Sequence, residues 1–286
     1  MQPSATPMVN LPDGRAVPAL GLGTWRMGER PEARRAEVAA LRAAVEAGPA
    51  LIDTAEMYGD GGAESVVGEA IAGMHDRVFV VSKVLPSNAS PAGTVAACER
   101  SLERLGVERI DLYLLHWRGR WKLADTVDAF ERLVAQGKIG GWGVSNFDVA
   151  DLDALAALPA GARCATNQIY YALSQRGPEF ELLPRMAALG MPAMAYSPLD
   201  EGRLVQHPAL RPIATELGAS CAQVALAWLL AEGVRAPGVI AIPKSASAER
   251  MAENAAAAGL RLEPRHLAVL DRAFTPPRRK APLAMI

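Results

Sequence analysis

Two periods of apolar and polar residues run through this chain. Short apolar runs, many of them β-branched, alternate with longer Ala/Leu/Arg/Glu-rich stretches whose apolar residues fall three and four apart. The runs predict eight strands: Leu20–Gly23, Ala50–Asp53, Val78–Lys83, Asp111–His116, Gly141–Ser145, Ala165–Gln168, Ala193–Tyr196 and Val239–Ile242. The stretches between them predict helices at about Ala33–Ala47, Glu64–Gly73, Pro91–Leu105, Ala124–Gln136, Val149–Leu155, Glu179–Leu189 and Gln223–Ala231. A further helix, Ala248–Ala258, follows the eighth strand. Gly48, Gly73, Gly106, Gly137, Gly190 and Gly233 end these stretches, where a left-handed glycine commonly stops a helix. Before the alternation begins, Met8–Leu11, the turn Pro12-Asp13-Gly14 and Arg15–Val17 read as a hairpin.

Strand–helix alternation implies a parallel sheet with right-handed crossovers, and eight units favour closure into a barrel. The expected fold is therefore α/β: a (β/α)8 TIM barrel with an N-terminal β-hairpin. Extra helices lie late in the chain, at Pro208–Leu217 and Pro264–Phe274. No linker or shift in composition interrupts residues 1–286, so one domain is expected.

Composition narrows the picture. At 286 residues the chain is close to the roughly 250 typical of one such barrel. Aromatic residues are only 5%, which suits helices on a buried parallel sheet better than an aromatic-rich sandwich. The net charge is −1, and the longest run of like charge is Arg278-Arg279-Lys280. Nothing there would follow a phosphate backbone, so nucleic acid is not an expected partner, and the basic triplet reads as a solvated tail. Cys98, Cys164 and Cys221 lie far apart in apolar stretches, as buried thiols of a reducing cytoplasm would. The first residues lack the pattern of a signal peptide, and no apolar run approaches the roughly 20 residues that span a bilayer. A monomer acting on a small molecule is expected.

In a closed barrel the functional site lies at the C-terminal ends of the strands. Those ends carry Asp53, Lys83, His116, Ser145-Asn146, Asn167-Gln168, Tyr196-Ser197 and Lys244-Ser245, with Tyr58 in the loop after Asp53. Asp53, Lys83 and His116 are each about one βα unit apart, hence on neighbouring strands. A tyrosine of ordinary pKa near 10 is a poor acid at neutral pH. A lysine beside it favours the phenolate, an aspartate holds the lysine, and a histidine can bond a substrate oxygen. Each residue alone has an ordinary structural explanation; the set together points to a polarised proton donor aimed at a carbonyl. His75, His207 and His266 read as structural, and no cluster has metal-ligand spacing.

These segments resemble the aldo-keto reductase family. LIDTAEMYG (Leu51 to Gly59), VSKV (Val81 to Val84) and DLYLLHW (Asp111 to Trp117) are similar to its aspartate–tyrosine, lysine and histidine segments. GVSNF (Gly143 to Phe147) and Asn167-Gln168 are similar to its carboxamide-binding segments, and AYSPL (Ala195 to Leu199) to its nicotinamide-stacking strand end. IPKS, with Arg250 and Glu253-Asn254, is similar to its segment for the adenosine 2′-phosphate. The likeness spans about Val17 to Leu270 and is greatest to bacterial reductases of small 2-oxoaldehydes.

The resemblance implies an NADPH-dependent oxidoreductase that reduces aldehydes or ketones to alcohols. It implies Tyr58 as general acid, tuned by Lys83 and Asp53, with His116 orienting the carbonyl. It assigns the carboxamide to Ser145, Asn146 and Gln168, ring stacking to Tyr196, the pyrophosphate to Ser197 and Leu199, and the adenosine phosphate end to Lys244, Ser245, Arg250 and Asn254. Trp25 and Trp117, after the first and fourth strands, are expected to line a substrate pocket suited to small carbonyls. One departure stands out: Asp200-Glu201 occupy a position where many members have glycine, and carboxylates there would repel a pyrophosphate unless turned away.

Other nicotinamide frameworks do not fit. Gly21-Leu22-Gly23 lacks a third glycine at Arg26, and no tyrosine has a lysine four residues on. Two alternatives remain open at this point: a barrel lyase forming a Schiff base on Lys83, and a non-enzymatic NADPH-binding regulatory protein on the same fold.

Overall fold

A computed structural model describes residues 7–48, 50–231 and 238–286. The hairpin forms from β1 (Met8–Asn10) and β2 (Ala16–Pro18), paired antiparallel. Eight parallel strands follow in chain order: β3 (Leu22–Gly23), β4 (Ala50–Asp53), β5 (Val78–Val84), β6 (Leu112–Leu115), β7 (Trp142–Ser145), β8 (Asn167–Tyr170), β9 (Ala193–Tyr196) and β10 (Val239–Ala241). Parallel bridges Leu20–Ala241 and Gly23–Lys244 join the first of these strands to the last. The Gly21 and Gly23 N–H groups donate across that seam to Ala241 and Pro243 at 2.8 and 3.0 Å, so the sheet curls shut into the expected (β/α)8 barrel. The seam needs glycine: a Cβ on Gly23 would lie 2.9 Å from the Ile242 carbonyl oxygen.

The helices are α1 (Pro31–Ala47), α2 (Gly62–Ile71), α3 (Pro91–Leu105), α4 (Leu123–Ala135), α5 (Val149–Ala156), α6 (Leu182–Ala188), α7 (Arg211–Glu216), α8 (Cys221–Leu230), α9 (Ala248–Ala256) and α10 (Pro264–Ala273). Two separate apolar clusters result. The larger fills the space between strands and helices. The smaller lies inside the barrel, where Leu51, Val81, Leu114, Met194 and Ile240 meet Val9 and Val17 of the hairpin. The hairpin therefore packs with the barrel interior. Side chains alternate along a strand, so the residues two positions beyond the interior ones face the same axis. Asp53 follows Leu51, Lys83 follows Val81, His116 follows Leu114 and Tyr196 follows Met194. That alternation is what brings the polar set to one mouth.

Several boundaries differ from the sequence expectation. β3 has only two residues, because Leu20 makes an isolated bridge. β8 runs two residues past Gln168, which pairs in register with Met194 inside the sheet. α7 begins at Arg211 rather than Pro208, since Pro212 lacks an N–H and belongs in the first turn. α6 starts at Leu182, after a separate 3₁₀ turn at Gly177–Glu179. The basic triplet is exposed, as expected of a solvated tail, and its Lys280 reaches Asp148 at 3.4 Å and Glu181 at 3.3 Å. All three cysteines are free and buried. Among the described residues no helix is long and apolar enough to cross a membrane, and no cluster could hold a metal.

The glycine stops divide in two. Gly73, Gly106, Gly137 and Gly190 are left-handed, with φ between 64° and 78°. Gly48 is extended instead, at φ 169° and ψ 175°, and Gly233 lies outside the described residues. A residue before proline is pushed to extended backbone, and Pro49 follows Gly48. Gly106→Ala should therefore destabilise the fold by about 1–2 kcal/mol. Gly48→Ala, with open space around its Cβ, should be neutral or stabilise by up to ~1 kcal/mol. Denaturant unfolding of the two variants checks this; equal losses would contradict the assignment of Gly48.

Candidate active site

The mouth of the barrel opens into a cavity of about 1340 Å³, larger than the roughly 300–1,000 Å³ that suits a drug-sized molecule. Of the sixteen residues expected from sequence, fifteen line it. The exception is Lys83, which is fully buried behind the wall. Its ammonium donates to Asp53 Oδ2 at 2.8 Å, to the Thr54 carbonyl at 2.8 Å and to Tyr58 Oη at 3.3 Å. Three N–H bonds meet three oxygens. Committed in this way and shut off from the cavity, Lys83 is poorly placed for a Schiff base, which disfavours the lyase alternative.

Tyr58 stands on a turn with an unusual backbone. Gly59, Asp60 and Gly61 after it are all left-handed, at φ 57°, 52° and 84°. The turn is pinned against neighbours: a Cβ on Gly61 would strike the Arg104 guanidinium at 2.5 Å. Arg104 is in turn held by the fully buried Glu64 of α2 at 2.6 Å. The chain thus folds Tyr58 back over Lys83, whose Nζ lies 4.8 Å from the ring centre.

The electrostatics depart from the sequence expectation in one respect. Burial raises the Tyr58 phenol above its ordinary value, the Lys83 charge pulls it down only in part, and Asp53 pushes it up again. The net direction is upward, so Tyr58 is a neutral phenol with a cation beside the oxygen it would leave charged. Burial alone would lower the Lys83 ammonium, but Asp53 and the Tyr58 oxygen reverse this and hold it above the usual lysine value. His116 is edge-on to Tyr58 at 5.8 Å. Burial first, then the Lys83 charge, push its pKa down to about 2. Among the described residues its Nδ1 is buried without a partner, whereas the residue as a whole faces the cavity. The one proton of the neutral ring is then best used on Nε2, as a donor.

Gln168 bridges the barrel from the far side. Its Nε2 donates to Asp53 Oδ1 at 2.7 Å, across 115 positions of sequence. Its neighbour Asn167 is turned the other way and holds Phe147 through both backbone groups. Asn146, left-handed at φ 58°, accepts from the Tyr196 hydroxyl at 3.0 Å and donates to the His116 carbonyl at 3.2 Å. Asn146 thereby links the backbone of His116 to Tyr196.

At the other end of the cavity Ser247 caps α9, its Oγ accepting from the Arg250 N–H at 3.4 Å. Lys244 is exposed, with burial of its stem and the nearby Arg26 and Arg30 holding its pKa below the usual lysine value. Arg250 is exposed, and Asn254 and Ser245 are buried. A helix start flanked by Lys244 and Arg250 could hold an anionic group. The cavity joins this end to the Tyr58 end, so its shape and donors fit a dinucleotide with a terminal phosphate. Trp25 and Trp117 stand partly buried beside Tyr58 and His116.

Sequence reasoning missed some of the lining. Arg26 sits at φ 63° with its guanidinium 4.5 Å from the Trp25 ring centre. Met285 and Ile286 reach the cavity from the tail, close to Tyr196, whose phenol burial pushes up to about 12. Nothing in the local sequence signals either; only the third dimension brings the tail there. Asp200 and Glu201, suspected of repelling a pyrophosphate, are both paired with Arg203, at 2.9 and 3.2 Å.

Residues 19–274 match the sequence model of the aldo/keto reductase family. The Escherichia coli protein named methylglyoxal reductase YeaE is 49% identical over 284 residues, covering 98% of this chain and 99% of that protein. The glyoxal reductase of Bacillus subtilis is 36% identical over 258 residues, covering 89% and 88%. A Klebsiella pneumoniae aldo-keto reductase crystallised with NADPH superposes with a TM-score of 0.94 at 50% identity, covering 99% of this chain and 100% of that one.

The His116 environment has a direct consequence. Its folded pKa lies far below the unfolded value of about 6.5, so the unfolded chain takes up the proton first as pH falls. The contribution of neutral His116 is complete above about pH 6.5 and shrinks below it, by up to ~1.4 kcal/mol per pH unit. Nitrogen-15 spectra of the imidazole should show an unchanging neutral ring protonated on Nε2 from pH 5 to 8. A titration centred near 6.5 would contradict the buried, unpartnered setting.

Proposed function

The chain belongs to the aldo/keto reductase family, and we propose that it reduces aldehyde or ketone carbonyls to alcohols with NADPH, using Tyr58 as the proton donor. The observation that carries this reading is the Asp53–Lys83–Tyr58 chain of contacts, 2.8 and 3.3 Å long, ending at the mouth beside His116. Bound NADPH would supply the hydride. Ser145, Asn146 and Gln168 would hold its carboxamide, Tyr196 its ring, and Ser197 and Leu199 its pyrophosphate. Lys244, Ser245, Arg250 and Asn254 would hold its adenosine phosphate end.

The side chains divide the remaining work. His116, neutral, donates from Nε2 to the substrate carbonyl oxygen and fixes its direction. Tyr58 then gives its proton to the same oxygen as negative charge develops there. A phenol whose pKa is raised by burial is the protonated form needed for that step. Lys83, 3.3 Å away, stabilises the phenolate left behind, and Asp53 with Thr54 keeps the ammonium in place. Trp25, Trp117 and Met57 close the apolar sides of the mouth, which favours small carbonyl compounds. Relatives named for methylglyoxal and glyoxal reduction support small 2-oxoaldehydes as the first substrates to try.

Turnover of such an aldehyde with NADPH separates this reading from a non-catalytic regulatory protein. Tyr58→Phe keeps the ring and removes the proton: kcat should fall by about 10²–10⁴-fold while NADPH affinity, followed by fluorescence, hardly changes. Near-normal turnover would remove Tyr58 from the role.

Arg250→Ala tests the phosphate end. Losing one charge-assisted hydrogen bond should raise KM for NADPH by about ten- to a hundredfold. KM for NADH, which lacks the 2′-phosphate, should change little. Equal losses for both cofactors, or a wild type that prefers NADH, would overturn the assignment.

A further inference from the structure

Tyr170 and Asp200 do no chemistry in the mechanism above, yet both are buried next to groups that do. We propose that they form a positioning relay which fixes Tyr196 and the loop after β9 as one unit, so that the nicotinamide and pyrophosphate portions of the cofactor site are set together. The proposal rests on the NADPH reading.

Parallel register places Tyr170 opposite Tyr196 at the ends of β8 and β9. Their rings stack with centres 5.7 Å apart and planes 17° apart. Tyr196 lines the cavity and Tyr170 does not, so Tyr170 backs Tyr196 from behind and can act on a ligand only through it. The Tyr170 hydroxyl donates to Asp200 Oδ1. Burial and the Asp200 charge both raise this phenol, which therefore stays a donor.

Asp200 is the other anchor. It is 6% exposed and accepts from Arg203 at 2.9 Å. Its φ of 51° is left-handed, as are Ser197 at 46°, Glu201 at 50° and Gly202 at 94°. Three of these four are not glycine, and such residues keep that backbone only where surroundings enforce it. The inward pull of Tyr170 on Asp200 supplies that constraint. It also directs the carboxylate away from the cavity, which Ser197, Leu199 and Glu201 line. Lys244 and Arg250 stand on the elements after β10 and lie outside the relay.

The test uses the full chain and reads binding constants. Tyr170→Phe, Asp200→Ala and Asp200→Asn are compared with wild type for NADPH, for 2′,5′-ADP as a fragment lacking the nicotinamide, and for kcat at saturating NADPH. Tyr170→Phe and Asp200→Ala should each weaken NADPH by roughly ten-fold, as loss of a hydrogen bond to a charged group does. Fragment affinity and kcat should stay within about twofold, and the double variant should be no worse than Asp200→Ala, because both act through one contact. Asp200→Asn, which keeps an acceptor and tolerates left-handed backbone, should recover most of the loss. Should Tyr170→Phe fail to fold, the Ala–Asn pair carries the same comparison. Equal losses for NADPH and the fragment, or wild-type NADPH affinity in Asp200→Ala, would overturn the relay. A wild type that binds NADPH but reduces no carbonyl would overturn the reductase reading alone, since the relay is read in binding.

Discussion

Opposite charges sealed from water stay charged only while they hold each other. Lys83 has no exposure and Asp53 2%, and 2.8 Å separates them. Each ion costs several kcal/mol to bury, and the interior returns that only with good geometry and further hydrogen bonds. The structure provides them from three directions. Thr54 and Tyr58 complete the ammonium, and Gln168 reaches across the barrel to complete the carboxylate. An arrangement of this kind needs a closed wall around it. The glycine seam, the hairpin that packs with the barrel interior and the apolar layers below the pair can all be read as conditions for keeping it dry.

Much of this was legible before any coordinates. Residues facing the barrel axis alternate with those facing the helices, so Leu51 with Asp53, Val81 with Lys83 and Met194 with Tyr196 announce both a wall and a mouth. The helices fared as well: α3 has the predicted bounds, set by Ser90 and Pro91 at one end and Gly106 at the other. Local chemistry determines such features, and a sequence displays local chemistry directly.

What escaped depends on distance or on competition between effects. Gly48 looked like any other helix stop, but its neighbour Pro49 dictates its backbone. The upward shift of Tyr58 could not be read from Lys83 alone, because burial opposes the cation and prevails. Asp200 seemed a hazard to an anionic ligand, but Tyr170 on the neighbouring strand and Arg203, three residues on, hold it. Arg26 and the tail residues Met285 and Ile286 reach the cavity by tertiary contact alone.

The seam between Leu20 and Ala241 has a meaning for how the molecule comes into being. It joins residues more than two hundred positions apart, and the Gln168–Asp53 bond spans 115. Closing loops of that length carries a large entropic penalty that early, local contacts cannot offset. Helices and neighbouring strand pairs can therefore form while the ring is still open, with Lys83 and Asp53 wet and Gln168 remote from them. A ring left open at this seam would leave the Lys83–Asp53 pair exposed to water, so the closure that completes the barrel also completes the setting of the site.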